Sequence, residues 1–111
     1  MNNLSTRSCQ ACRSDAPLVA ENEFAILLQS IPNWKVLKLS DVNRLHKVYQ
    51  FKNFVDAMKF THKVGEIAEL ENHHPAILTE WGKVSVSWWT HKIKGLHMND
   101  FIMAAKTDDL I

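Results

Sequence analysis

Several features that mark specialised protein classes are scarce in this sequence. No apolar run approaches the roughly 18 residues of a membrane-spanning helix, and the N-terminal stretch MNNLSTRSCQAC lacks the apolar core of an export signal. Thirteen Lys and Arg residues against twelve Asp and Glu residues leave a net charge of +1, and the basic residues are scattered. These absences argue against a membrane, exported or nucleic-acid-binding protein, so we expect a cytoplasmic location.

Cysteine is also scarce, since Cys9 and Cys12 are the only two in the chain. Their C-x-x-C spacing fits a redox couple, half of a zinc site, or two free thiols. A four-ligand zinc site is disfavoured because no second C-x-x-C and no H-x3-H follows at finger spacing. The pair lies in a polar segment instead of between a strand and a helix, which favours unreactive thiols in a leader.

The remaining composition is that of a folded protein with one modest core. Hydrophobic residues make up 46% and charged residues 23% of the 111 residues, which are ordinary globular values. A chain of this length supports a single domain. The composition along the chain divides it into a mobile leader, residues 1–20, and one domain, residues 21–111.

Helical periodicity is present in three segments. A first helix is predicted over residues 21–30. A second and longer helix is predicted from an N-cap at Asn53 to about Leu70, because its apolar positions recur with a 3.6-residue period. A last helix is predicted over residues 98–106, with Asp100 in its first turn.

Strand patterns separate these helices. Residues 34–39 and 44–51 are predicted to form a β-hairpin with a longer loop, and residues 76–79 and 83–89 a second hairpin. The order helix, hairpin, helix, hairpin, helix favours an α+β fold, in which a four-stranded antiparallel sheet has three helices packed on one face.

Histidines gather where predicted elements end. His73 and His74 leave the long helix and enter a strand, while His91 follows the partner strand of the same hairpin. Because paired strands bring such ends together, the three imidazoles are expected at one rim of the sheet. Imidazole exchanges protons near neutral pH, so the cluster suits general acid/base catalysis. A zinc site is the less favoured alternative, because neighbouring residues of an extended chain point to opposite sides.

The spacing of these residues resembles a known family. The pattern acidic-x3-His-His-Pro-x5-aromatic-x9-His-x8-Asp is met by Glu69, His73, His74, Pro75, Trp81, His91 and Asp100. Residues 21–108 look like pterin-4a-carbinolamine dehydratase, and the segment from Cys9 to Pro17 resembles the leader of bacterial members. The resemblance implies a sheet covered by helices on one face. It also implies the loss of water from 4a-hydroxytetrahydropterin to give quinonoid dihydropterin.

The resemblance implies roles for individual residues. His73 and His91 correspond to the acid/base histidines, and His74 to a third catalytic-site histidine that orients the substrate. No metal and no cofactor is expected. The residues implied in substrate binding are Glu69, Asn72, Trp89, Thr90 and Asp100. Where members of the family carry a hydroxyl residue before the last helix, this chain has His97, so we expect a weaker helix cap there.

The resemblance also suggests partners. Recycling of tetrahydrobiopterin would link the protein to phenylalanine hydroxylase, and self-association to a dimer or tetramer is expected, with Val48 or Trp88 as exposed apolar candidates for the interface. Two other functions stay open from the sequence. One is an interaction module, because animal relatives also act as transcriptional coactivators. The other is a zinc hydrolase or metal-binding protein.

Overall fold

The computed structural model of the chain describes residues 18–111 and confirms the predicted order of elements. The helices and strands are α1 (Glu21–Leu28), β1 (Lys35–Leu39), β2 (Val42–Gln50), α2 (Phe54–Glu71), β3 (Ala76–Glu80), β4 (Lys83–Trp88) and α3 (Met98–Asp108). The predicted leader lies outside the described residues except for residues 18–20, as do Cys9 and Cys12. The division into leader and domain therefore stays a prediction. No helix among the described residues is long and apolar enough to cross a membrane.

The first hairpin differs from the sequence prediction in its turn. The predicted longer loop is wrong, because the strands pair from Lys35 opposite His46 to Leu39 opposite Val42. Only Ser40 and Asp41 connect them, with φ angles of 51° and 62°. Two successive positive φ angles are the geometry that matches the twist of a tight hairpin. Neither residue is the glycine that signals such a turn, so the sequence pattern concealed it.

Both ends of α2 are fixed by asparagine. The side chain of Asn53 accepts a hydrogen bond from the Asp56 amide at 2.7 Å, which confirms the predicted N-cap. At the other end Asn72 adopts a left-handed conformation with φ 53°, and the His73 amide donates to the Ala68 carbonyl at 3.1 Å. This cap ends the helix sharply and sets the direction in which the next two histidines leave it.

The sheet has the strand order β1-β2-β4-β3, with every neighbouring pair antiparallel. Its inner face carries Val84, Val86 and Trp88 of β4, all fully buried against the helices. The prediction that Trp88 is an exposed interface residue is therefore wrong, because strand alternation turns it inward with the two valines. Val48 on the outer face is exposed, as predicted.

The cap of α3 also departs from the prediction. His97 precedes the helix, and its Nδ1 accepts a hydrogen bond from the Asn99 amide at 3.0 Å. The Asp100 carboxylate accepts in turn from the His97 amide at 2.8 Å. These two bonds form a reciprocal capping arrangement. The expected weakening of the cap is wrong, because an imidazole nitrogen replaces the hydroxyl oxygen as acceptor.

A polar cluster secures the other end of α3 to the sheet. Asp108 accepts hydrogen bonds from the indole N–H of Trp34 at 3.2 Å, from the ammonium of Lys47 at 2.7 Å, and from the hydroxyl of Tyr49. Burial, with the neighbouring carboxylate as a further cause, raises the pKa of the Tyr49 hydroxyl. Because charged hydrogen bonds are the stronger ones, the cluster fixes α3 and the residues of its first turn relative to the strands.

Candidate active site

The site is built where β3 begins and β4 ends. Ala76 pairs with Ser87 in the sheet, so the chain segments just outside these two residues lie side by side. One segment is Asn72-His73-His74, which leaves α2, and the other is Trp89-Thr90-His91, which leaves β4. The imidazole Nε2 of His91 is 3.3 Å from the carbonyl oxygen of His74. The structure therefore brings the two segments to one rim of the sheet.

His73 is the buried histidine of this rim. Only 3% of the residue is exposed, and its ring stacks on the indole of Trp88 with centroids 5.7 Å apart and an interplanar angle of 10°. Its Nε2 is 2.7 Å from a carboxylate oxygen of Asp100. The ring is thus held in one orientation by an aromatic surface on one side and a carboxylate at its edge.

Asp100 is the centre of the buried network. It is fully buried, and beside His73 it accepts from the Thr90 hydroxyl and the His97 amide, both at 2.8 Å. A buried carboxylate is tolerated only when such donors replace water. The position of Asp100 in the first turn of α3 adds favourable interaction with the helix dipole. The three donors are His73, which follows α2, Thr90, which follows β4, and His97, which precedes α3. Asp100 therefore connects the three elements that form the site.

His74 and Glu69 form a second histidine–carboxylate pair, at the surface. The His74 Nε2 is 2.6 Å from a Glu69 oxygen, and both residues are more than half exposed. Neighbouring residues point to opposite sides of a chain that leaves a helix in extended form, so His73 turns inward and His74 outward. Pro75 favours this extended geometry at His74.

His91 begins a short 3₁₀ turn, His91–Ile93, and is exposed. Its ring packs against the indole of Trp89, with centroids 4.5 Å apart and an angle of 32° between the planes. Thr90 between them is buried, and its backbone pairs with Gly95 across the turn. The two tryptophans therefore serve different histidines: Trp88 supports His73 from inside the sheet, and Trp89 supports His91 outside it.

The hydrogen bonds define which nitrogen of each ring carries a proton. In His73, His74 and His91 the Nε2 atom faces a carboxylate or carbonyl oxygen, which can only accept. Each Nε2 therefore carries the hydrogen. The Nδ1 atoms of the three rings have no hydrogen-bond partner among residues 18–111. In the neutral state each of these Nδ1 atoms presents a lone pair.

One residue of this network was not predicted as part of the site. His97 is buried beside Asp100, and burial lowers its pKa, with the nearby His73 acting in the same direction and the Asp100 charge opposing. The pattern of a capping residue followed by a carboxylate three positions later could have identified it. Histidine is an uncommon cap, and this hid the signal. Within the described part of the chain, no group of three His, Cys, Asp or Glu residues could hold a metal ion.

Comparison with known proteins gives a consistent result. The model of the family described as pterin 4 alpha carbinolamine dehydratase matches residues 17–110. Two bacterial relatives, from Nitrosococcus oceani and Syntrophotalea carbinolica, are 55% and 54% identical over 111 residues. The alignments cover all of this chain and 98% and 99% of the relatives. Both relatives bear the name pterin-4-alpha-carbinolamine dehydratase as a provisional assignment.

Two solved structures share the fold. A protein from Brucella melitensis, titled transcriptional coactivator/pterin dehydratase, superposes with a TM-score of 0.76 at 26% identity, covering 85% of this chain and 98% of that one. A pterin dehydratase-like protein identified as a RuBisCO assembly factor in the alpha-carboxysome superposes with a TM-score of 0.60 at 18% identity. That alignment covers 70% of this chain and 88% of the other, and the likeness concerns the fold alone.

Proposed function

Because the chain belongs to the pterin-4-alpha-carbinolamine dehydratase family, we propose that it converts 4a-hydroxytetrahydropterin, such as 4a-hydroxytetrahydrobiopterin, to quinonoid dihydropterin and water. Its rim histidines would act as general acid and base. The observation that carries the proposal is the arrangement of His73, His74 and His91. All three hold their hydrogen on Nε2 against an oxygen acceptor, and their Nδ1 atoms have no hydrogen-bond partner among residues 18–111.

The chemistry asks only for proton transfer. The substrate is a carbinolamine, in which a ring nitrogen adjoins the carbon that bears the hydroxyl group. The lone pair of this nitrogen forms the new double bond as the carbon–oxygen bond breaks. A general acid protonates the departing oxygen so that it leaves as water, and a general base removes the proton from the nitrogen. Positioned acids and bases contribute about 10²–10⁴-fold to such a step.

We assign the base to His73. The Asp100 carboxylate accepts the Nε2 hydrogen of this ring and so keeps Nδ1 available as proton acceptor. The same carboxylate stabilises the positive charge that the ring gains when it takes up a proton. Since both Asp100 oxygens already accept hydrogen bonds from the protein, we give this residue a positioning role on His73 in place of the predicted contact with substrate.

We assign the acid to His91, which is exposed and can exchange protons with solvent. Its Nε2 hydrogen faces the His74 carbonyl, so the protonated ring donates from Nδ1. The exposed His74, held by Glu69, would orient the pterin at the rim, and Trp89 with the buried Thr90 would fix the segment that carries His91. Asn72 would contribute to the site through its left-handed backbone conformation, which sets the direction in which His73 and His74 leave α2.

Rates of dehydration test the assignment. The substrate is generated in solution, and its conversion is followed by ultraviolet absorbance with His73→Gln, His91→Gln and wild-type protein. We expect each variant to lower kcat by about 10²–10⁴-fold. His62→Gln on the exposed face of α2 is the matched control and should leave the rate unchanged. Wild-type rates in both rim variants would refute the proposal.

Two further parts of the proposal concern partners. We propose that the product enters the recycling of tetrahydrobiopterin used by an aromatic amino acid hydroxylase such as phenylalanine hydroxylase, and that the protein acts in the cytoplasm. In a reconstituted hydroxylation assay, product formation should then continue for longer when the protein is added.

We also propose a homo-oligomer, dimer or tetramer, because α2 exposes Phe54, Val55 and Met58 around an apolar depression of about 570 Å³. Light scattering of the purified protein measures its mass directly.

A further inference from the structure

A half-buried arginine lies beside the site, and no acidic residue in the described part of the chain pairs with it. Arg44, on the outer face of β2, makes no hydrogen bond or ion pair within the described part of the chain. Its Nε is buried and has no acceptor among residues 18–111. Buried donors are nearly always satisfied in folded proteins, and an exception asks for an explanation such as an absent ligand.

The guanidinium of Arg44 is nevertheless held in place. Its central carbon is 4.0 Å from the ring centroid of Trp89, a cation–π contact. The same indole packs against His91, with centroids 4.5 Å apart. A guanidinium whose face lies over an aromatic ring can still donate hydrogen bonds from the N–H groups in its plane. The indole thus places a fixed positive fork next to the proposed acid of the dehydration.

A second basic residue lies on the outer face of the sheet that carries Arg44. Lys35 lies on the same outer face, because it pairs with His46 while Leu37 pairs with Arg44. The carboxylate on this face, Glu80, is 3.6 Å from Lys83, and both lie at the opposite end of their strands from Trp89. Asp41, in the turn of the hairpin, makes no ion pair with Arg44.

We propose that Arg44, held over Trp89, recognises an anionic substituent on the pterin, a carboxylate or a phosphate monoester. This inference rests on the proposed function, since it presumes that a pterin occupies the histidine rim. A guanidinium binds either anion through two parallel hydrogen bonds, and both sources share this chemistry. Arg44 would then determine which pterin side chain the protein prefers, without taking part in proton transfer.

Binding of stable pterins tests the idea independently of turnover. The probes are 6-hydroxymethylpterin, its monophosphate, and 6-carboxypterin, and pterin fluorescence reports Kd for wild type, Arg44→Gln and Arg44→Lys. We expect wild type to prefer at least one anionic probe over the neutral one, and the stronger of the two identifies the substituent. Arg44→Gln should reduce this preference about 10- to 100-fold, the usual strength of charged hydrogen bonds. Arg44→Lys should retain only part of it, because it keeps the charge and loses the fork.

The matched control is Lys35→Gln, which removes a positive charge from the same face away from Trp89. It should leave the ratio of the Kd values within about twofold, because exposed charges act weakly. Equal affinity of wild type for neutral and anionic probes would overturn the inference, and so would an equal loss for all probes in Arg44→Gln. If all three probes fail to bind, both this inference and the proposed function fail. Binding without preference removes this inference alone.

Discussion

Two histidine–carboxylate pairs that start from neighbouring residues have nearly the same geometry and opposite surroundings. The His73–Asp100 distance is 2.7 Å and the His74–Glu69 distance is 2.6 Å. The first pair is 3% and 0% exposed, and the second 54% and 77%. The comparison teaches that contact distance alone says little about what a pair contributes, because solvent decides how strongly the two groups interact.

The surroundings also separate the roles of the two pairs. Asp100 replaces its lost hydration with three protein donors, so its removal leaves buried groups unsatisfied. Glu69 keeps its water and loses little if His74 moves away. The inner pair can therefore hold a ring in one orientation, whereas the outer pair lets its ring adjust to a ligand.

The largest effect is expected from Asp100→Asn. The amide has one acceptor oxygen, which can keep the Thr90 and His97 donors, so its NH₂ group then faces His73 Nε2. The His73 ring must either lose this partner or move its hydrogen to Nδ1, where it can no longer accept a proton. We expect the free energy of unfolding to fall by about 1–3 kcal/mol. The dehydration rate should fall by about 10²-fold or more. Urea unfolding and steady-state kinetics measure the two quantities.

A double variant distinguishes a positioning role of Asp100 from a purely structural one. If Asp100 acts through His73, the double variant with His73→Gln should lose little more activity than either single variant, because residues that act as a unit are not additive. Additive losses in the double variant would contradict the positioning role of Asp100.

The next largest effect is expected at Asn72, the C-cap of α2 directly before His73 and His74. Asn72 has a φ of 53°, a conformation that asparagine and glycine adopt more easily than alanine. We expect Asn72→Ala to lower the free energy of unfolding by about 1 kcal/mol relative to Asn72→Gly. Equal unfolding midpoints for the alanine and glycine variants would show that the cap contributes nothing through its backbone.

The stability of the protein should depend on pH through His97, which lies beside the buried His73–Asp100 pair. Burial lowers the pKa of His97, so the unfolded chain takes up a proton below about pH 6.5 that the folded protein resists. Stability should therefore decrease as the pH falls from about 7 to about 5. Denaturation midpoints at several pH values measure it.

An informative variant is His97→Asn, which keeps a capping acceptor and does not titrate. Its stability should decrease less steeply with acid than that of wild type. A remaining slope is expected from His46, whose pKa burial also lowers and whose Nδ1 is 2.8 Å from the Ser87 hydroxyl. An unchanged slope in His97→Asn would exclude His97 as the source.

The smallest effect is expected from Glu69→Gln at the outer pair. The change should alter the free energy of unfolding by less than about 0.5 kcal/mol, since exposed ion pairs contribute little and salt screens them. Equilibrium unfolding at low and high salt measures this. A loss comparable to that of Asp100→Asn would remove the distinction between the two pairs.

The sequence was sufficient for the fold because its local signals agree with one another. Asn53 with Asp56 marks the start of α2, and the alternation of Val84, Val86 and Trp88 marks a strand with one buried face. Antiparallel pairing of two hairpins followed from their order. The turn at Ser40 and Asp41 could not be predicted, because its two left-handed residues are not the asparagine and glycine that usually signal such a turn.

For the site, the spacing along the chain identified the residues but did not predict which of them are buried or what they contact. Which of two adjacent histidines faces inward depends on the left-handed cap at Asn72, and a helical period does not encode this. The burial of Asp100 depends on the packing of α3 against the end of β4. Arg44 lies 45 residues before Trp89 in the sequence, and only the pairing of β2 with β4 brings the two side chains together.

The adjacent tryptophans at the end of β4 constrain how the gene for this domain can change length. Trp88 supports the buried histidine and Trp89 the exposed one, and they differ only by one step along a strand. Deleting a single codon within β4 would exchange the two indoles between the faces of the sheet. Insertions and deletions are therefore expected to be tolerated better in the flanking turns than within β4.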